Sequence, residues 1–167
     1  MKSRKNSTLY TTRGALIAAV YVALTLLAST MGMSSGVIQF RFSEALCILP
    51  IFLPEAIPGL FIGCLVSNLI AGGVIWDIIF GSIATLIGAI GSRLLKDLPE
   101  GTKWISTLPT VISNMIIVPL VLIFAYGAPD SYIFLMITVG FGEAVCAGIG
   151  GSALYYLMKK YEKLWLK

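Results

Sequence analysis

Four charged side chains stand in or beside apolar runs, where charge is costly. They are Arg41 and Glu44 in "IQFRFSEALCILPIF", Asp77 in "IWDIIF" and Glu143 in "VGFGEAVC". An ionisable residue at membrane depth points to a substrate or ion site by default, since its desolvation must be offset by a partner. Arg41 and Glu44 are i, i+3 neighbours if their segment is helical, so they can pair. As a purely structural pair they offset each other's desolvation only with good geometry. Asp77 falls where an N-cap would, and Trp76 where an interfacial anchor would. Gly81, Thr85 and Gly88 follow Asp77 along a small, weakly polar face that suits a cavity wall. Glu143 sits well inside its apolar run, about 16 Å deep at 1.5 Å per residue. Ala147 and Gly151 leave space beside it; a buried acid paired with Arg41 or a backbone group is the alternative. Asn68 and Asn114 add amides inside apolar runs, where asparagine either bonds another helix or lines a site.

Several chemistries are excluded. The chain has no histidine, which removes the usual general base and the commonest metal ligand. Cys47, Cys64 and Cys146 are isolated in apolar runs without a C-x-x-C, so they read as buried thiols rather than a metal or redox site. No P-loop motif is present to cradle ATP phosphates. No cofactor or metal is implied. The net charge is +4, but the basic residues lie at segment ends and form no stripe, which argues against nucleic acid.

The elements that position these residues are membrane helices. Of 167 residues 57% are hydrophobic and 12% charged, about half the charge of a soluble domain. Apolar segments at 13–32, 43–54, 56–74, 77–95, 106–126 and 132–158 predict an all-α membrane protein, a single domain over 1–167 with six helices in a compact bundle. The first, preceded by basic residues, reads as a spanning helix and not a cleaved signal. Fusing the second and third segments would give five helices, but Pro50, Pro54 and Pro58 interrupt that run. Charge decides more strongly: with six helices, every Lys and Arg except Arg41 falls on one side, and both termini are cytoplasmic. Arg41 is then an anomalous cation near the outer surface. Small residues also recur: Ala15, Ala19 and Ala23 share one face of the first helix, and Gly140, Ala144, Gly148 and Ser152 one face of the sixth. Such faces allow close approach, either within the bundle or to another membrane subunit.

The stretch "VIQFRFSEALCILPIFLPEAIPGLFIGCLVSNL", followed by "WDIIFGSIATLIGA", closely resembles the QueT family. The resemblance covers nearly the whole chain and is most specific over 39–68 and 77–85. These are substrate-binding S components of energy-coupling factor (ECF) importers. The resemblance implies a six-helix fold with an outward-facing pocket and a first loop acting as its lid. It also implies a queuosine precursor as ligand, 7-aminomethyl-7-deazaguanine or a close relative. The partners implied are a coupling membrane (T) subunit, which the Ala15/Ala19 pattern would dock, and two ATPase subunits. The implied ligand carries an ammonium and a guanine-like edge whose N–H donors suit a carboxylate. Arg41, Glu44, Asp77 and Glu143 then become pocket residues with Gln39, Asn68 and Asn114, and Trp76, Tyr126 or Phe40 offers a stacking face. Glu143 is expected to read the edge, Asp77 to take the ammonium, and Glu44 to turn toward the ligand at the pocket mouth. Rival readings are an S component for another heterocycle or vitamin, a membrane-embedded enzyme, and a small channel or scaffold.

The charge distribution predicts that single cysteines at Ser3 and Glu100 resist an impermeant thiol reagent in intact cells, while one at Asp130 reacts. Labelling at Glu100 but not at Asp130 would invert the topology.

Overall fold

The computed structural model describes residues 2–33 and 39–161, with side chains from residue 7 onward. Part of the expected lid loop, at 34–38, lies outside the described residues, as do the side chains of Lys2, Arg4 and Lys5 and the terminal Lys163 and Lys167. Among the described residues the secondary structure is entirely helical: α1 (Lys2–Thr30), a 3₁₀ helix (Phe42–Ile51), α2 (Ala56–Ile70), α3 (Ile75–Leu94), a second 3₁₀ helix (Glu100–Thr107), α4 (Leu108–Tyr126), α5 (Tyr132–Glu143), a π-helical turn (Ala144–Gly150) and α6 (Gly151–Lys160). From α5 to α6 the chain runs as one helical rod, 29 residues long, so the predicted sixth helix is continuous but carries a π turn.

Among the described residues, four stretches are long and apolar enough to cross a membrane: Ser7–Thr30, Ile75–Leu94, Glu100–Tyr126 and Tyr132–Lys160. The segments predicted as second and third helices are separate, with Pro54 in the break between them. They are short, however, and the first is a 3₁₀ helix and not an α-helix. At about 2.0 Å rise per residue it extends about 20 Å, well under a bilayer's hydrocarbon thickness of about 30 Å.

The helical segments alternate in direction, which gathers the described basic residues other than Arg41 at one end. There Arg13 faces Glu55 at 3.4 Å. Arg93 Nη1 donates to the Pro50 and Ile51 carbonyls at 3.0 and 2.9 Å, which satisfies orphan acceptors at the end of the 3₁₀ helix. Glu100 accepts from the Tyr155 hydroxyl at 2.7 Å and also meets Lys159. At the opposite end Gly127, at φ 67°, closes α4 with its N–H on the Ile123 carbonyl, an αL cap that glycine adopts without a Cβ penalty. Ser131 Oγ then caps α5 by accepting from Phe134 N.

Small residues bring the helices together, as expected where lipid tails compete equally for apolar side chains. A Cβ on Gly59 would lie 2.6 Å from the Gly14 carbonyl oxygen, so α1 and α2 touch backbone to backbone. Between α3 and α4, a Cβ on Gly88 would lie 2.5 Å from Thr110 Oγ1 and 2.7 Å from its Cα. Gly88→Ala therefore overpacks this contact and should cost about 1–3 kcal/mol. Gly101→Ala, with nothing within 4 Å of its Cβ, should be near neutral. Thermal unfolding of both variants in one detergent checks this, and equal midpoints would refute the close-packing account.

Candidate functional site

At the end of the bundle away from the basic residues, an open cleft of about 500 Å³ lies between α1, α2, α3, α4 and α5. That is within the roughly 300–1,000 Å³ usual for small-molecule sites. Its polar lining includes Gln39, Arg41, Asn68, Asp77, Tyr126 and Asp130. Five of these are sequence-predicted site residues that the fold brings together. Asp130, like Thr25 and Ser29 on α1, was missed; the signal for Asp130 was an acid in the cation-free segment "YGAPDSY".

Each lining group is held by its element. The N-cap of α3 is Val74, not Asp77, which falls in the first helical turn. A carboxylate there faces the positive end of the helix dipole. Asp77 Oδ2 accepts from the Tyr126 hydroxyl at 2.9 Å, and that hydroxyl in turn accepts from Val74 N at 3.3 Å. Asn68 Nδ2 donates to the Asp77 carbonyl oxygen at 3.5 Å, tying α2 to α3. Arg41 reaches across with Nη2 3.9 Å from Asp77 Oδ1. That is well beyond the roughly 2.7–2.9 Å of a charge-assisted hydrogen bond, so Oδ1 retains capacity for another donor. A Cβ on Gly81 would lie 3.1 Å from Asn68 Nδ2 and 3.4 Å from Asp77 Oδ1, so the bare glycine leaves room for this group.

The expected Arg41–Glu44 pair does not form. Arg41 is the extended residue that precedes the 3₁₀ helix, at φ −103° and ψ 90°, so it does not share a helical face with Glu44. Glu44 is instead fully buried beneath the cleft and not at its mouth. Its Oε1 accepts from the Tyr21 hydroxyl and from Thr85 Oγ1 at 3.3 Å; its Oε2 accepts from Cys47 Sγ at 3.2 Å and Asn114 Nδ2 at 3.4 Å. Tyr21 was also missed; its signal was a hydroxyl on the buried face of α1, one turn before Thr25. Asn114 and Glu143 lie in this inner layer, at 0% and 4% exposure, and neither lines the cleft. Trp76 and Phe40 are corrections of another kind. Trp76 is 55% exposed and stacks on Phe80 with ring centroids 6.0 Å apart, on the outer wall of an apolar groove between α3 and α4. Phe40 is half-buried and does not line the cleft. Tyr126 is therefore the one of the three expected stacking residues that borders the cleft.

Cys47, Cys64 and Cys146 are buried free thiols, and among the described residues no group of acids and cysteines could hold a metal. On α1, Ala15, Ala19 and Ala23 are exposed, while Gly14, Ile17, Ala18 and Tyr21 meet α2 and its neighbours.

The inner layer generates a stability prediction. Glu44→Gln places an amide nitrogen against groups arranged to donate, and removing one partner from a buried charged network costs about 3–5 kcal/mol. Tyr21→Phe removes one donor and should cost about 1–3 kcal/mol. Thermal unfolding in detergent should rank wild type above Tyr21→Phe and Tyr21→Phe above Glu44→Gln; a Glu44→Gln midpoint equal to wild type would sink this assignment.

No solved structure matches the chain. The sequence is 36% identical over 92 residues to a protein of Lactococcus lactis subsp. cremoris (strain MG1363) described as "Queuosine precursor transporter QueT". That alignment spans 54% of this chain and 53% of the relative, about half the length of each. The description "QueT transporter" attaches to the family whose pattern matches residues 11–160. With that match over most of its length and several helices able to cross a bilayer, the chain belongs to the QueT transporter family and is a multi-pass membrane protein.

Proposed function

We propose that this chain is the substrate-binding S component of an ECF importer, and that its cleft takes a queuosine precursor, 7-aminomethyl-7-deazaguanine or a close relative. Family membership and the description of the Lactococcus lactis relative support the substrate class. The observation that carries the reading is the cleft itself. It opens at the end away from the basic residues, the outer end by the positive-inside rule. Among its lining residues one guanidinium, Arg41, faces two carboxylates, Asp77 and Asp130. The cleft thus carries one negative charge in excess and suits a ligand with one cationic group. In this reading all six helical segments contribute to the bilayer-embedded bundle, and both termini are cytoplasmic.

Asp77 takes the ligand's ammonium through the oxygen that Arg41 does not engage closely. Arg41 donates to a ring carbonyl, and Tyr126 borders the ring. The chain itself contributes no ATP hydrolysis. A T component and two ATPase subunits supply it, and the exposed Ala15/Ala19/Ala23 face of α1 supports docking to the T component, since bulk is absent where a partner helix must approach. An S component for another cationic heterocycle is the second reading, favoured by the same charge count.

Titration of the purified chain in detergent with 7-aminomethyl-7-deazaguanine and its neutral 7-cyano analogue tests this. Wild-type protein should bind the amine. Asp77→Asn should weaken the amine by more than about tenfold, since losing one member of a close charge pair typically costs about 2–5 kcal/mol, while sparing the nitrile. Equal loss of both ligands would remove Asp77 as the ammonium partner; no binding of either by wild type would refute the substrate.

A further inference from the structure

The layer beneath the cleft contains two carboxylates that the fold treats differently. Glu44 has donors on both oxygens. Glu143, in the same layer and equally deep, has a buried Oε2 with no hydrogen-bond partner. Asn114 sits between them: its Nδ2 donates to Glu44 at 3.4 Å and contacts Glu143 as a hydrogen-bond donor. With the amide nitrogen committed to the acids, Asn114 Oδ1 is a second buried acceptor without a partner. Buried acceptors in folded proteins almost always find a donor, and an exception calls for an explanation. Here the four donors around Glu44 show that the bundle can satisfy a carboxylate at this depth.

The place of Glu143 supplies the explanation. Gly142, its neighbour on α5, accommodates the Gln39 backbone so closely that a Cβ would lie 2.0 Å from the Gln39 carbonyl oxygen. Gln39 lines the cleft. The cleft floor therefore rests directly on the turn that carries Glu143. The rod changes to π geometry at Ala144, immediately after Glu143, and π turns inside helices are frequent at functional sites. The two unpartnered oxygens belong to side chains in hydrogen-bond contact, and both can only accept, so their complement is a pair of neighbouring N–H donors.

We propose that Glu143 and Asn114 form an inner subsite under the cleft floor that takes a flat heterocycle edge with two adjacent N–H donors, the edge of a 2-aminopyrimidinone ring. This rests on the transporter reading above and adds to it a second level of recognition. The outer cleft selects the cationic arm, and the inner acceptors select the amino-bearing edge. A ring with a carbonyl or an unsubstituted carbon at that edge leaves one or both acceptors unanswered and is rejected.

The test compares 7-aminomethyl-7-deazaguanine with its counterpart lacking the 2-amino group, by calorimetric titration of purified protein in detergent. Both bases keep the cationic arm, so the outer cleft does not distinguish them. Wild-type protein should prefer the 2-amino base by at least about tenfold, the factor of one lost hydrogen bond to a charged group. Glu143→Gln should weaken that base by a similar factor and bring the two affinities together. Glu143→Asp withdraws the acceptor without changing its charge; it serves if the amide variant does not fold, and should show the same loss of preference. Wild-type protein that binds the two bases alike overturns the subsite, as does a folded variant that keeps the wild-type preference. Wild-type protein that binds neither base overturns the substrate reading on which the subsite rests.

Discussion

Everything in this bundle is arranged around the carboxylate of Glu44. An acid at 0% exposure in an apolar interior is tolerable only if nearly every lone pair finds a donor. The four donors come from α1 (Tyr21), the 3₁₀ helix itself (Cys47), α3 (Thr85) and α4 (Asn114). One side chain thus ties together four elements, and two of its donors, Tyr21 and Cys47, belong to the main apolar cluster with Ile17, Leu46, Leu60 and Cys64. The same constraint accounts for a ten-residue 3₁₀ helix, longer than this geometry usually sustains. Ser43 is bonded to Thr25 at 2.8 Å at its upper end, Glu44 pins the next residue, and Arg93 holds its last carbonyls. Side chains from neighbouring elements compensate for the weaker backbone bonds of the 3₁₀ form.

With one element so tightly held, the surrounding helices must come close, and they do so by omitting side chains. The first helix carries small residues on two faces. Gly14 and Ala18 meet Gly59 and Gly63 of α2, while Ala15, Ala19 and Ala23 remain exposed. A single small-residue stripe would be explained by packing within the bundle. Two stripes, one of them consumed by α2, leave the second without an internal role.

Much of the fold was legible in the sequence because hydropathy and charge report the bilayer directly. The boundaries of α3, α4 and the α5–α6 rod fall within a few residues of those expected. Of the prolines at 50, 54 and 58, only Pro54 falls in the break between the two short segments; Pro50 lies inside the 3₁₀ helix and Pro58 in the first turn of α2. What hydropathy could not report was the kind of helix. Treating 43–54 as α-helical placed Arg41 and Glu44 on one face; the segment is 3₁₀, and Arg41 precedes it in extended form. That single difference moved Glu44 from the cleft to the core and gave Arg41 to Asp77. Trp76 was misplaced for a related reason: spacing fixes which residues share a helix face but not which face meets the bundle. Its neighbour Asp77, rotated by one residue, lines the cleft while Trp76 turns outward.

The exchange of partners also sets the charge of the cleft. Had Arg41 paired with Glu44, two carboxylates would face the cleft with no cation, and a deeper pair would be neutral. Because Glu44 is answered by neutral donors instead, Arg41 is free to approach Asp77, and the cleft is left with Asp130 as its uncompensated acid. The 3.9 Å separation of Arg41 and Asp77 matters here. A tight bidentate pair would close off both groups, whereas this loose one, with Asp77 Oδ2 taken by the Tyr126 hydroxyl and no side chain on Gly81 to fill the space, leaves a donor and an acceptor both exposed to the cleft. The burial of Glu44 is thus the condition for a cleft lining in which one guanidinium stands against two carboxylates.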